Sequence, residues 1–399
     1  MPRKKVKLFQ DLCSTRRLTS SWEEVFSNNS YSPETKQFAV ASRHNLQVLR
    51  KSLIAGKFHF GKYRASVLKE KKKLQPIMSP HVQDKIVQRA ILNTIYPTIK
   101  TVIENDVSYG SIKKRTIEKA VGRIVALYKE GYEWVFESDI INFFNNIDRK
   151  LLLEKILSSL RDDSINALLT QAVNAEIENY DIIKEFEHLF PGAGIGIPQG
   201  SILSPMFANL YLAPFDSHMT EKGFKLIRYV DDFIVLCKTQ EEAVSAYEIA
   251  YNFLTDLKLS IHKLNVPNAN GKIKTKITVY KDGFDFLGIN FTPRRLQPSG
   301  DKISSFKQKV KDITTYPGEL REPIIEKIIS LNRLIKGWGN AYRFCNMCPI
   351  YTTMDQMICK RVSYFLFNHG FAKKRLTIKA MKLLGVEQLG HIRVSPICL

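Results

Sequence analysis

Two adjacent carboxylates, Asp231 and Asp232, interrupt a stretch that is otherwise rich in strand-forming residues. Apolar residues flank the pair on both sides, in 224–228 and 233–236, so the sequence predicts a β-hairpin with both acids at its tip. Carboxylates on a tight turn can hold a divalent metal ion. Because Asp also favours ordinary turns, the pair taken alone is better explained as a structural turn.

A third acid, Asp139, ends an apolar segment that begins at Trp134 and predicts a buried strand. A charge at that position is costly in a core unless it is paired or bound to metal. If Asp139 faces Asp231, the three carboxylates could hold two divalent ions, which is the arrangement that nucleotidyl transfer needs. Asp148, by contrast, precedes Arg149 and a helical apolar pattern, so it predicts an N-terminal helix cap.

The chain is strongly basic, with 60 Lys and Arg residues against 39 Asp and Glu residues and a formal net charge of +21. Residues 301–399 alone hold 17 basic against 7 acidic residues. A polyanionic partner is therefore expected, and nucleic acid is the leading candidate. No apolar stretch approaches the ~18–20 residues of a membrane span, and the first residues lack a signal-peptide pattern, so we expect no membrane partner and a cytoplasmic location.

The six cysteines do not suggest a disulfide framework in a chain of 399 residues, and reduced thiols are expected. Cys345 and Cys348 form a lone C-x-x-C, which lacks a second ligand pair with zinc-like spacing. Buried structural thiols are the better explanation for these residues.

Changes in pattern divide the chain into four segments. Residues 1–62 are mainly helical, 63–130 carry a basic run and a helix, 131–298 alternate strands with helices, and 299–399 are helical and basic. Three helices are predicted, and each is followed by a residue that should stop it. The helix at 39–53 is followed by Gly56, the helix at 86–95 by Pro97, and the helix at 324–335 by Gly337, Trp338 and Gly339. Ser204 and Pro205, after a glycine-rich loop, predict a further helix start.

Four segments of the chain, in this order and spacing, resemble motifs A, B, C and E of the reverse transcriptases. They are SDIINFFNNID, GIPQGSILSPMFANLYL, RYVDDFIVL and FDFLGINF. The chain is similar to the bacterial group II intron-like branch, because residues 82–90 also resemble its fingers helix and residues 331–342 its thumb helix. The resemblance implies an α+β right-hand polymerase fold. Its parts are an N-terminal helical extension at 1–62, fingers at 63–130, a palm with an antiparallel sheet packed on helices at 131–298, and a helical thumb and C-terminal region at 299–399.

Site residues are implied by the same motifs, position by position. Asp139, Asp231 and Asp232 match the catalytic carboxylates that bind two Mg²⁺ ions, with Mn²⁺ as a substitute, and the main-chain carbonyl of Ile140 is an expected extra ligand. The other matched positions are Phe144 as the steric gate against the ribose 2′-hydroxyl, Gln199 and Gly200 as contacts to the incoming nucleotide and template, and Phe286, Leu287 and Gly288 as the primer grip.

Two parts of the family pattern are altered in this chain. Gln75 stands where many group II enzymes have a fingers arginine before proline, so the triphosphate must be bound by other cations. The candidates are Lys71, Lys72, Lys73 and Arg115. Lys263 matches the general-acid lysine of motif D by position, although an insert at 265–271 follows it at once.

The resemblance implies an RNA-directed DNA polymerase that copies an RNA template into a DNA product from deoxynucleoside triphosphates. Little room is expected beyond the thumb for the DNA-binding and nuclease domains of mobile intron proteins. By elimination the chain is similar to the defence-associated reverse transcriptases of bacteria, which copy a structured non-coding RNA encoded beside them. The alternatives are a maturase-type protein that binds and splices its intron RNA, and template-independent DNA synthesis by the same site.

Overall fold

The structure is a computed structural model that describes residues 7–70, 73–174, 176–268, 271–315, 323–346, 348–372, 376–392 and 394–398. The helices in these ranges are α1 (Leu8–Leu12), α2 (Thr15–Asn29), α3 (Pro33–Val40), α4 (Ser42–Ile54), α5 (Val82–Ile103), α6 (Ile117–Lys129), α7 (Phe143–Asn146), α8 (Arg149–Ser158), α9 (Asn166–Val173), α10 (Tyr180–Ile183), α11 (Ser204–Glu221), α12 (Gln240–Asp256), α13 (Gly300–Ile313), α14 (Ile324–Ala341), α15 (Cys348–Asn368) and α16 (Ile378–Leu383). The strands are β1 (Arg64–Glu70), β2 (Lys73–Ser79), β3 (Trp134–Asp139), β4 (Lys225–Tyr229), β5 (Asp232–Cys237), β6 (Lys276–Val279), β7 (Phe284–Phe286), β8 (Ile289–Thr292) and β9 (Arg295–Pro298).

Within the described ranges the strands form three sheets. β1 and β2 are an antiparallel pair, β7, β8 and β9 form an antiparallel meander, and the remaining sheet has the order β4-β5-β3-β6. β4 and β5 are the antiparallel hairpin predicted around Asp231 and Asp232, and β3 ends at Asp139 as predicted. The combination of helices with antiparallel sheets confirms the α+β class.

The chain divides into two compact units, one of residues 1–116 and 136–277 and the other of residues 117–135 and 278–399. The second unit includes α6 because Tyr128 of this helix stacks on Tyr280, with ring centroids 3.8 Å apart. The predicted boundaries of the N-terminal extension, fingers, palm and thumb lie at other positions than the boundaries of these two units. They stay a prediction.

Helix α11 is buried along most of its length in the first unit. Its apolar side chains are distributed around the helix, which is typical of a helix that other elements enclose. It contacts α5, α8, α12 and β4. Phe215 of α11 lies against Phe233 of β5, with ring centroids 5.4 Å apart, so the helix supports the strand that begins at Asp232. Ser204 and Pro205 begin α11, which confirms the predicted helix start.

Pro97 does not end α5, and that prediction was wrong. The helix continues to Ile103 with Pro97 inside it. Proline removes one backbone donor from a helix. Ile99 and Ile103 are almost fully buried, however, and their burial stabilises the turns that follow the proline.

Residues 39–53 belong to two helices, whereas the sequence predicted one. α3 ends at Val40 and α4 begins at Ser42, with Ala41 at φ −128° and ψ 39° between them. The apolar spacing of seven residues between Ala39 and Leu46 does not depend on an unbroken helix, so it could not detect this break. Gly56 follows α4 with a left-handed φ of +67°, which confirms it as a stop signal.

Gly337 and Gly339 lie inside α14, so the predicted break at this point was also wrong. A Cβ atom added to Gly339 would overlap Cδ1 of Ile392 and lie 3.1 Å from Cδ2 of Leu389. Gly339 therefore lets a second segment of the chain approach the helix backbone. A Cβ atom added to Gly337 would meet no atom within 4 Å.

The cysteines that the structure describes apart from Cys348 are free thiols, as predicted, and all but Cys398 are buried. Among the described residues, no helix combines the length and apolar character that crossing a membrane requires.

The two glycines of α14 make a matched pair for a stability test. Gly339→Ala is expected to lower the free energy of unfolding by about 1–3 kcal/mol, because Ile392 must move. Gly337→Ala is expected to raise it by about 0.5–1 kcal/mol, because alanine favours the helix and meets no neighbour. Chemical denaturation of both variants measures the difference, and equal effects would contradict the close packing at Gly339.

Candidate active site

The tip of the β4–β5 hairpin carries the two adjacent acids. Tyr229 pairs with Asp232 across the turn, so Val230 and Asp231 form a two-residue connection. Val230 has a φ of +63°, a left-handed conformation that β-branched residues rarely adopt. Two-residue hairpin turns with a positive φ at the first position favour glycine there. The turn is therefore strained, and surrounding contacts must hold it.

Strand β3 lies next to β5 in the sheet, which brings Asp139 to the hairpin tip. The N–H of Ile140 donates to the main-chain carbonyl of Asp231 at 3.1 Å. The next N–H, of Ile141, donates to the carbonyl of Ser260 at 2.8 Å. These backbone bonds place Asp139, at the end of its strand, in one group with the two hairpin acids.

The electrostatics of this group are dominated by burial and like charge. Burial raises the pKa of Asp232, and the charges of Asp231, Asp139 and Glu137 raise it further, to about 7. The positive charge of Lys274 acts in the opposite direction. Ionised carboxylates in this arrangement repel one another, so the group favours either a proton or a cation.

Lys274 supplies part of that positive charge. Its Nζ lies 2.8 Å from Oδ2 of Asp139. Burial lowers the pKa of Lys274, but its hydrogen bond to Asp139 and the charges of Asp232 and Asp231 outweigh that effect and raise the pKa. The ammonium of Lys274 therefore stays protonated beside the acids.

Lys274 was not predicted from the sequence, in which the family resemblance placed the general acid at Lys263. The structure gives Lys263 an exposed side chain, and its predicted role stays a prediction. Lys276, two residues after Lys274, pairs with Glu137 at 3.0 Å. Lysines at alternate positions are a strand pattern, and Glu137 and Asp139 alternate in the same way on β3. That pattern could have indicated cross-strand ion pairs.

The acid group fits a divalent cation by its chemistry. Oδ1 of Asp139 is buried, and it has no hydrogen-bond partner among the residues that the structure describes. A buried carboxylate oxygen without a partner is costly. The donors are all oxygens, which Mg²⁺ prefers. Among the described ranges, however, no three acidic, His or Cys side chains are grouped closely enough to hold one metal ion.

The glycine-rich loop connects the predicted nucleotide contacts. The N–H of Met78 on β2 donates to the carbonyl of Gln199 at 2.7 Å. Gly200 has a φ of +131°, and a Cβ atom there would overlap the carbonyl oxygen of Met78. The N–H of Ile197 donates to the carbonyl of Phe144 at 2.8 Å. The loop thus ties Gln199, Gly200 and Phe144 into one region of the first unit.

Arg115 is engaged in a different contact from the predicted one. Its Nη1 donates to the main-chain carbonyls of Asn105 and Ser108, and its guanidinium lies 5.7 Å from the ring centroid of Tyr109. These bonds stabilise the loop before α6, and the predicted contact of Arg115 with a triphosphate stays a prediction. Lys73 begins β2, whereas Lys71 and Lys72 lie outside the described residues.

The predicted primer-grip residues form a tight turn in the second unit. Leu287 and Gly288 connect β7 to β8 with φ values of +52° and +76°, and Phe286 before them is buried. Positive φ at both positions is typical of a type I′ hairpin. A Cβ atom at Gly288 would lie 2.7 Å from Cε of Lys302, so this lysine extends across the turn.

Comparisons with known proteins agree with these motifs. Residues 67–291 match the family described as reverse transcriptase (RNA-dependent DNA polymerase), and residues 303–379 match the group II intron, maturase-specific domain. Protein YkfC of Escherichia coli (strain K12) is 26% identical over 288 residues, which are 63% of this chain and 72% of that protein. The group II intron-encoded protein LtrA of Lactococcus lactis subsp. cremoris is 25% identical over 344 residues, which are 69% of this chain and 54% of LtrA.

A solved structure described as a partial Cas6-RT-Cas1--Cas2 complex is also similar. Its matching chain is 25% identical, with a TM-score of 0.39, over 63% of this chain and 42% of that chain. The chain therefore spans about half the length of LtrA and less than half of this structural neighbour.

The pKa of Asp232 predicts how stability changes with pH. The folded-state pKa of about 7 lies above the ordinary value of 3.8, so the stabilisation from this group is present at low pH and is lost as the pH rises toward 7. Asp232→Asn cannot ionise. In chelator at about pH 8 it should be more stable than the native protein by roughly 2 kcal/mol, with a much smaller difference at about pH 4.5.

Thermal melts across this pH range measure the effect. Added Mg²⁺ provides the control, because it should stabilise the native protein more than the Asn variant. Parallel pH profiles for the two proteins would contradict a buried cluster of like charges.

Proposed function

The chain belongs to the reverse transcriptase family, and on that premise we propose that Asp139, Asp231 and Asp232 are its catalytic metal ligands. One observation carries the proposal. A buried oxygen of Asp139 that lacks a hydrogen-bond partner among the described residues belongs to the same group as Asp232, whose pKa is raised to about 7. Both features make the ionised carboxylates unfavourable when no cation is bound. A bound cation would make them favourable.

The residues that would hold the metal are the three carboxylates and the main-chain carbonyl of Ile140. All-oxygen donors favour Mg²⁺, with Mn²⁺ as a substitute. When bound, two such ions would lower the pKa of the attacking primer hydroxyl and neutralise charge on the triphosphate. Lys274 orients Asp139 through its ion pair and adds positive charge where a nucleotide would bring negative charge.

Deoxynucleotide selection is assigned to Phe144 and the loop that contains Gln199 and Gly200. The carbonyl of Phe144 accepts from the N–H of Ile197 in this loop, so the backbone of Phe144 is fixed beside the loop. An aromatic ring at that place would exclude a ribose 2′-hydroxyl. The positive φ of Gly200 and its missing Cβ let the loop pack directly against the backbone of Met78, which fixes the proposed contacts in place.

The template is proposed to be RNA, specifically a structured non-coding RNA dedicated to this protein. The net charge of +21 and the match of residues 303–379 to a maturase-specific domain support an RNA partner. The same match favours a second candidate function, in which the chain binds and splices an intron RNA. A role in bacterial antiphage defence, in the cytoplasm, extends the first proposal.

Substitution of the acids tests the assignment. Asp231→Ala and Asp139→Ala should each reduce Mg²⁺-dependent primer extension on RNA by about a thousandfold or more, because the metal loses a ligand. Asp148→Asn is the matched control, since Asp148 caps α8 by accepting from the N–H of Leu151 and Asn is an equally good cap. Primer extension that survives either alanine substitution would refute the assignment.

A further inference from the structure

A buried ion pair joins Arg228 of β4 to Asp216 of α11, next to the tip of the β4–β5 hairpin. Both side chains are almost completely buried, at 1% and 0% exposure. Nε of Arg228 donates to Oδ1 of Asp216 at 2.6 Å, and Nη2 donates to Oδ2 at 2.5 Å. Such a pair is seldom needed for stability, because well-packed apolar residues can often replace it without loss. Stability alone therefore does not explain why a charged pair stands at this position.

The remaining guanidinium nitrogen is directed at the strained turn. Nη1 of Arg228 donates to the main-chain carbonyl of Val230 at 2.8 Å and to Oδ1 of Asn209 at 3.1 Å. Val230 is the residue with a φ of +63° immediately before Asp231. A hydrogen bond to its carbonyl fixes the peptide that joins Val230 to Asp231, and so fixes the direction of the Asp231 main chain.

The surrounding residues hold the ion pair and the turn together. Asn105 donates through Nδ2 to Oδ2 of Asp216 at 2.7 Å, and Asn209 donates through Nδ2 to the carbonyl of Gly110 at 2.9 Å. A Cβ atom at Gly110 would lie 2.6 Å from the backbone nitrogen of Val230. The backbone of Gly110 therefore packs against the turn from one side, while Arg228 donates to the carbonyl of Val230 in the turn.

We propose that Arg228, oriented by Asp216, is a positioning residue that holds the Val230 turn in the conformation in which Asp231 can bind a divalent cation. The inference rests on the proposed metal-binding role of Asp231. Arginine suits this task because its planar fork makes two bonds to Asp216 and still offers a third donor to Val230. A lysine has one nitrogen and cannot reproduce that geometry.

Arg228→Lys tests the proposal, because it keeps the charge and loses the fork. The Mg²⁺ concentration for half-maximal primer extension should rise about tenfold, since a charge-assisted hydrogen bond to the turn is lost. The Kd for template and primer, measured in chelator, should not change. A readout without turnover is the thermal shift on titration with Mn²⁺, which should move to higher concentration by a similar factor.

Two further variants separate positioning from general destabilisation. Leu236→Ala removes a buried side chain of β5, distant from the turn in the β4–β5 register, and should destabilise the protein without changing the Mg²⁺ requirement. Val230→Gly added to Arg228→Lys should restore much of the Mg²⁺ affinity, because glycine adopts positive φ without strain. If Arg228→Lys does not fold, Asp216→Asn, which keeps the shape of the partner, carries the same test.

An unchanged Mg²⁺ requirement in a folded Arg228→Lys protein, or no restoration by Val230→Gly, would overturn the proposal and leave the pair with a structural role. An equal rise in the Mg²⁺ requirement for Leu236→Ala would overturn it as well. Absence of primer extension by the native protein would instead refute the proposed function, so the two failures are distinguishable.

Discussion

Mutual repulsion among the carboxylates at the end of β3 and the tip of the β4–β5 hairpin is the constraint on which the rest of the structure depends. Left in water, these acids would separate. The backbone bond between Ile140 and Asp231 holds them near one another, and burial together with the neighbouring negative charges raises the pKa of Asp232 to about 7. Lys274 offsets part of the repulsion from one side through its bond to Asp139. The remaining imbalance favours a divalent cation, which is the species that the proposed reaction needs.

A single buried helix connects the parts that hold this unfavourable arrangement. α11 begins directly after the glycine-rich loop that ties Gln199 to Met78, and it contributes Phe215 to the packing of β5. Further along, Asn209 and Asp216 on the same helix bind Arg228, which in turn binds the turn before Asp231. The proposed nucleotide contacts and the proposed metal ligands are therefore both supported by α11, so a shift of one would disturb the other.

Local features of the fold could be predicted from the sequence, whereas features set by distant contacts could not. The hairpin around Asp231 and the strand that ends at Asp139 follow from short runs of residue types whose preferences agree. Pro97 and Gly339 were misinterpreted because packing overrides their local effect. Buried isoleucines carry α5 beyond Pro97, and Gly339 serves a close contact with Ile392.

The same distinction applies to the site. The acids that are proposed to bind metal were identified through their motifs, but Lys274 reaches Asp139 across 135 residues of sequence, just before the strand β6 that lies next to β3. The role of Arg228 could not be predicted from the sequence for a different reason. A charged residue inside a strand predicts a solvent-exposed side chain, and only the structure shows that Asp216 and Val230 accept its hydrogen bonds in the core.

Single-nucleotide addition tests the central claim most directly. A primer annealed to an RNA with one defined unpaired base would be supplied with Mg²⁺ and one deoxynucleoside triphosphate at a time, and each of the four template bases would be tried. RNA-templated synthesis at the carboxylate site predicts that only the complementary deoxynucleotide is added in each case. Addition of the same nucleotide whatever the template base, or of ribonucleotides as readily as deoxynucleotides, would contradict it.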